Sequence, residues 1–186
     1  RWYSQKEFTW NGITQSNRNG LLWRDSTVDG MKTGFTEAAG YCLVSSAARD
    51  GMRLVAVVLG TDSPTARERE SQALLNYGYR FFETKKILTA GQRLAEARVW
   101  KAETELVDVG VRRDVWVTVP RGKADQLEPA VTLPAQLMAP LDPGKELGKV
   151  RVALAGATVA EVPLYPLKPV ATGSLWQQGR DTVLLW

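Results

Sequence analysis

The run Tyr41-Cys42-Leu43-Val44-Ser45-Ser46-Ala47-Ala48-Arg49-Asp50-Gly51-Met52-Arg53-Leu54-Val55-Ala56-Val57-Val58-Leu59-Gly60 contains two largely apolar stretches joined by Arg49-Asp50-Gly51. An Asp-Gly pair between such stretches is a hairpin signal, because both residues tolerate the left-handed backbone of a tight turn. From Leu54 to Leu59 no polar residue interrupts, which predicts a strand buried on both faces. Beyond it, Ser63-Pro64 supplies a helix N-cap and a first-turn proline, followed by Glu68 and Glu70 in the opening turns. The helix is predicted to run to about Phe82, with Ala66, Ala73, Leu74, Tyr77 and Phe81 as its apolar face. The order predicted here is strand, strand, helix.

Towards the C-terminus the composition changes near residue 83. The first 83 residues contain only Pro64, and the other eight prolines follow. Val115, Val117 and Val119 alternate with Trp116 and Thr118, and Val150, Val152 and Leu154 repeat the pattern. Turn-rich breaks at Pro120-Arg121-Gly122, Asp142-Pro143-Gly144 and Gly156 separate short strands, the signature of a small all-β sandwich. A boundary is expected between Glu83 and Ile87. From Leu167 onward Pro169 and Gly173 give a linker composition, and in Ser174–Trp186 apolar residues flank a polar middle. That tail reads either as an interfacial amphipathic helix with Trp176 at a membrane surface, or as a terminal segment that docks on its own domain or frays.

The chain has 186 residues, 24 Lys+Arg against 20 Asp+Glu and a net charge of +4. Such a mild positive balance gives no ground for nucleic-acid binding. No run approaches the ~18 apolar residues of a membrane-spanning helix. The single cysteine, Cys42, excludes an internal disulfide or a multi-cysteine metal site. The absence of histidine excludes Ser-His-Asp and Cys-His catalysis and His-ligated zinc. Acid-base work falls to Lys, Tyr, Asp or Glu.

The chemistry-bearing segment precedes the hairpin: Val28-Asp29-Gly30-Met31-Lys32-Thr33-Gly34-Phe35-Thr36-Glu37-Ala38-Ala39-Gly40-Tyr41. Lys-Thr-Gly beside a hairpin strand is one signature of active-site serine enzymes that react with penicillin. A strand edging a cleft would present a cationic Lys and a Thr hydroxyl to a substrate carboxylate. Gly lets the substrate backbone approach, and the following N–H can face a developing oxyanion. Alone, the tripeptide arises by chance in roughly one chain in fifty of this length.

It stands in an ordered set: Gln15-Ser16-Asn17-Arg18-Asn19-Gly20-Leu21-Leu22-Trp23, Asp29–Gly34, Ala39-Gly40-Tyr41, Arg67-Glu68-Arg69-Glu70-Ser71, Tyr79-Arg80-Phe81-Phe82-Glu83, Val119-Pro120-Arg121-Gly122 and Ala139-Pro140-Leu141. Across nearly the whole chain the sequence thereby resembles the low-molecular-mass penicillin-binding proteins of the serine D-alanyl-D-alanine carboxypeptidase type. The resemblance implies an α+β fold: the C-terminal part of a β-lactamase/transpeptidase-like domain over residues 1–83, a β-sandwich domain over 84–167, and a linker with the start of a membrane-anchor helix over 168–186. It implies removal of the terminal D-Ala from peptidoglycan stem peptides through an acyl-serine, and acylation by β-lactam antibiotics. It also implies a periplasmic enzyme, peripheral on the bacterial inner membrane, with no metal or cofactor. The single cysteine is compatible with that compartment.

By position, the resemblance makes Lys32 the lysine that holds the substrate carboxylate and sets the proton balance of the site. Thr33 hydrogen-bonds the same carboxylate, Gly34 admits the substrate, and the Phe35 N–H is half of an oxyanion hole. Arg67 matches an arginine facing the terminal carboxylate; read as an ordinary helix residue, it would instead pair with Glu70. Arg18 matches a cleft-side arginine, or else is a loop residue capping backbone carbonyls. Certain relatives have His where Phe35 stands, which bears on substrate preference.

The family's nucleophile motif Ser-x-x-Lys and its Ser-x-Asn are absent: no serine has Lys three residues later or Asn two later. Together with a start at Arg1 rather than Met, this leads to the expectation that these residues complete a site whose nucleophile lies in an N-terminal part of the same enzyme. Two other readings are a β-lactamase-like hydrolase, against which the all-β domain argues, and a non-catalytic cell-wall binding protein on the same fold.

Overall fold

The computed structural model describes residues 2–185; Arg1 and Trp186, on which the two terminal readings partly fall, lie outside it. The chain divides into two compact units, Arg1–Thr84 and Lys85–Trp186.

The first unit opens with a hairpin of β1 (Glu7–Trp10) and β2 (Ile13–Ser16) around Asn11-Gly12, whose φ angles of 48° and 76° are those a tight hairpin turn demands. A single helical turn, α1 (Leu21–Arg24), leads into β3 (Val28–Thr36), β4 (Gly40–Arg49) and β5 (Met52–Thr61). These three form an antiparallel sheet in the order β3-β4-β5, so the Lys-Thr-Gly strand is an edge. Asp50 and Gly51 turn the β4–β5 hairpin at φ 48° and 79°. Helix α2 (Pro64–Phe81) follows, and the Ser63 hydroxyl accepts the Ala66 N–H at 3.1 Å. It packs on the sheet over a core of Leu21, Leu22, Val28, Leu43, Ala47, Ala56 and Leu75.

Two predicted faces differ from those observed. Strand β5 is buried on one side only: Met52, Ala56 and Val58 are buried under α2, while Val55, Val57 and Leu59 are exposed, Val57 by 56%. The side of α2 turned to the sheet is Arg67, Glu68, Ser71 and Leu75, whereas Leu74, Tyr77 and Phe81 face outward. In both elements the apolar run is real, but among the described residues of the first unit a covering layer lies on only one side of the sheet.

β6 (Phe82–Leu88) leaves the first unit. The second unit contains β7 (Arg93–Trp100), β8 (Leu106–Gly110), β9 (Val115–Pro120), β10 (Leu127–Thr132), β11 (Leu137–Met138), β12 (Gly148–Leu154) and β13 (Ala157–Pro166). Six of them form a sheet in the order β10-β12-β13-β8-β7-β11, and β6 pairs with β9. In β9 the valines are buried and Trp116 and Thr118 exposed, the alternation expected from the sequence. Val99, Val107, Val109, Val115, Val117, Val119, Val150 and Leu164 share one core. The molecule is α+β.

After short bridges of Val170 to Leu141 and Thr172 to Ala102, α3 (Leu175–Leu184) begins at a complete capping box of Ser174 and Gln177. The helix is inverted relative to an ordinary surface helix. Its buried Asp181 accepts the Lys101 N–H at 2.7 Å, and Arg180 joins Asp181 to Glu105. Leu175, Trp176, Val183 and Leu184 face outward, Trp176 by 75%.

Candidate active site

Pairing in the three-stranded sheet sorts the Lys-Thr-Gly residues by face. Lys32 stands opposite Val44, and Val44 opposite Val57, so these three form a row on the uncovered face. Thr33, Leu43 and Val58 form the next row, on the face covered by α2. Phe35, two residues beyond Thr33, pairs with Tyr41. The edge strand therefore carries its ammonium group on one face and its hydroxyl and aromatic ring on the other.

All six residues singled out in the sequence, Arg18, Lys32, Thr33, Gly34, Phe35 and Arg67, line one cavity of about 670 Å³, together with Tyr41 and Pro64. Three of the lining side chains are cationic and none is acidic, so the cavity suits an anion. The Lys32 ammonium donates to the Thr33 carbonyl at 2.6 Å. No serine is among the lining residues.

Arg67 is only 5% exposed. Its Nη1 donates to the Gly34 carbonyl at 3.3 Å and its Nη2 to the Arg18 carbonyl at 3.2 Å. Its Nε is buried and has no hydrogen-bond partner among the described residues. The guanidinium carbon lies 5.6 Å from the centre of the Tyr41 ring. The pairing with Glu70 considered above is not formed; Glu70 bonds Arg69 at 2.8 Å on the exposed side of α2. One fork thus ties the Arg18 loop and the Lys-Thr-Gly strand to the helix, a task that suits the planar guanidinium.

Several supporting residues were not singled out from the sequence. Asn19, fully buried, donates to the Gly30 carbonyl at 3.0 Å and accepts the Leu21 N–H at 3.3 Å, fixing the Arg18 loop against β3. Buried Glu68 accepts the Gly20 N–H at 3.2 Å and meets Arg24 at 3.4 Å. The Asn-x-Asn-Gly pattern ahead of an apolar turn is a readable Asx-turn signal for Asn19. Glu68 has no such local signal, because its partners lie 44 to 48 residues earlier. Tyr41 becomes legible only once the β3–β4 register is known.

Two family models match the chain. Residues 1–63 match D-alanyl-D-alanine carboxypeptidase, and residues 82–172 match the C-terminal domain of penicillin-binding protein 5. The D-alanyl-D-alanine carboxypeptidase DacA of Escherichia coli K12 is 42% identical over 185 residues, 98% of this chain and 46% of that protein. DacD of the same strain is 39% identical over 96% of this chain and 47% of its own length. Among solved structures, penicillin binding protein 5 from Haemophilus influenzae superposes with a TM-score of 0.83 at 44% identity, over 91% of this chain and 50% of that one. The chain spans about half the length of the curated relatives it matches.

Proposed function

This chain belongs to the D-alanyl-D-alanine carboxypeptidase family of penicillin-binding proteins, and on that premise we propose that it forms the Lys-Thr-Gly wall of a serine peptidase that trims terminal D-Ala from peptidoglycan stem peptides. The observation that carries the reading is the convergence of Lys32, Thr33, Arg18 and Arg67 on one acid-free cavity beside an open strand edge. A peptide ending in a carboxylate lies along the edge of β3, its carboxylate held by Lys32 and Thr33. A Cβ placed on Gly34 would meet nothing nearer than the Cys42 Cβ at 3.8 Å, so internal packing does not require glycine there. The requirement comes from the substrate backbone, which approaches the strand at that point.

The Phe35 N–H stabilises the oxyanion formed when a serine attacks the penultimate carbonyl. D-Ala leaves with its amine protonated, and water then releases the ester. The attacking serine belongs to an N-terminal part of the same enzyme. The uncovered row of Lys32, Val44 and Val57, with Val55 and Leu59 beside it, suits the face on which that part packs. Within this reading residues 1–83 complete the peptidase domain, 84–167 form the β domain, and 168–186 lead into an anchor.

Relatives of this kind act at the bacterial cell wall, and we assign the enzyme to the periplasm, on the surface of the inner membrane. The support is the inverted α3: its polar side is satisfied by the β domain while Leu175, Trp176 and Val183 face outward. Among the described residues no helix is long and apolar enough to cross a membrane. The double variant Trp176→Ser, Val183→Ser is expected to lose cosedimentation with anionic phospholipid vesicles; undiminished binding contradicts this assignment.

The activity is tested by incubating full-length protein with a fluorescent penicillin. A covalent band is expected, and Lys32→Ala is expected to slow its formation by at least about a hundredfold. No band from folded full-length protein would instead support a non-catalytic binding module, and normal labelling of the variant refutes the role of Lys32.

A further inference from the structure

The anion-binding cavity has one wall that the proposed reaction does not use. Phe35 is 54% exposed although its ring lies against Tyr41, with centroids 4.3 Å apart and planes inclined by 32°. Tyr41 in turn lies under the Arg67 guanidinium. The Phe35 ring is backed by Tyr41, and Tyr41 by Arg67, so Phe35 is supported from one side and open on the other. Phe35 and Tyr41 are paired in register across β3 and β4, and Arg67 is fastened to the carbonyls of Gly34 and Arg18. A ring so braced offers a flat apolar surface at little further entropy cost. Phe35 shares a strand face with Thr33 and lies two residues along, about 7 Å from it.

Resting on the reading of this cavity as a carboxylate site, we propose that Phe35 and Tyr41 form a selectivity shelf. The shelf favours ligands that carry a planar apolar group beside the carboxylate over those with a small aliphatic group there. The carboxylate engages Lys32 and Thr33, and the planar group lies on the Phe35 face, where offset or tilted contact between aromatic systems adds attraction beyond the area covered. A polar residue in place of Phe35 would not offer that surface. Terminal D-Ala carries only a methyl group beside its carboxylate, so the shelf acts chiefly on β-lactams: it raises sensitivity to some of them without a matching gain for the peptide.

The test uses the full-length enzyme and two cephalosporins with the same acyl side chain. One carries an aryl group on the ring carbon next to the carboxylate-bearing carbon, and the other a methyl group there. The ratio of their second-order acylation rate constants is measured for the wild type, Phe35→Ala and Phe35→Tyr. The ratio favours the aryl compound in the wild type, falls by about fivefold in Phe35→Ala, and is retained in Phe35→Tyr. An unchanged ratio in Phe35→Ala overturns the shelf while leaving the carboxypeptidase reading intact. Loss of the preference in Phe35→Tyr as well also overturns it, since the ring then acts only by filling its place in the strand. Failure of both compounds to acylate the wild type overturns the carboxypeptidase reading and the shelf together.

Discussion

Arg67 shows how one side chain sets the shape of the cavity. Its sequence position, four residues into a helix and three before a glutamate, invites the reading of a solvated ion pair. In the fold it is buried, and its outer nitrogens join the Arg18 loop to Gly34. Lysine cannot reproduce this, since a compact ammonium does not span two carbonyls presented to a planar fork. Arg67→Lys is expected to cost about 1–3 kcal/mol of stability and to slow penicillin acylation at least tenfold. Thermal unfolding and acylation rates both matching wild type would show that the brace is dispensable. That Lys32, Thr33 and Gly34 would sit together at the edge of a cavity was legible directly, because they are consecutive in one strand. Glu68 and Tyr41 were not, because their roles arise from partners distant in sequence.

The elements of the first unit are joined around Asp25, which ends α1. Burial acts to raise the pKa of this carboxyl. The Thr27 hydroxyl and N–H, Gln72 of α2 and Arg49 of β4 outweigh that effect and hold it at about 2, against an ordinary 3.8. The folded-state value is the lower one, so Asp25 stabilises the fold at pH values above its unfolded pKa. That stabilisation is lost as pH falls from about 4 towards 2. Allowing for solvent screening it amounts to about 1–2 kcal/mol. The gap in denaturation midpoint between wild type and Asp25→Asn should therefore be constant above about pH 5 and close towards pH 2. A gap that persists unchanged at pH 2 contradicts this assignment.

Element boundaries were readable from caps and turns: Ser63-Pro64 opens α2 and Asp50-Gly51 turns the hairpin, both as local chemistry requires. The buried face was readable in β9, where apolar and polar residues alternate, but not in β5 or α2. A run such as Leu54–Leu59 looks the same in a strand covered on both sides as in one covered on one, and the difference lies in which other segments pack against it. The tail met the same limit. Its amphipathic pattern was visible, but the attachment of its polar side through Asp181 and Lys101 depends on contacts 80 residues apart.

For the whole molecule, apolar surface and missing chemistry point the same way. The outward faces of β5 and α2, and Phe8, Trp10 and Ile13 in the first hairpin, are exposed in the unit whose cavity has the cations for a carboxylate but no serine in its lining. The chain spans about half of its curated relatives. The central claim is that these 186 residues supply the carboxylate-binding wall while the acylated serine lies elsewhere in the same enzyme. Its most direct test is to react the full-length protein with a penicillin, digest it and locate the adduct by mass spectrometry. The account predicts one adduct, on a serine followed three residues later by lysine and outside the sequence studied; an adduct on any of Ser4, Ser16, Ser26, Ser45, Ser46, Ser63, Ser71 or Ser174 would contradict it.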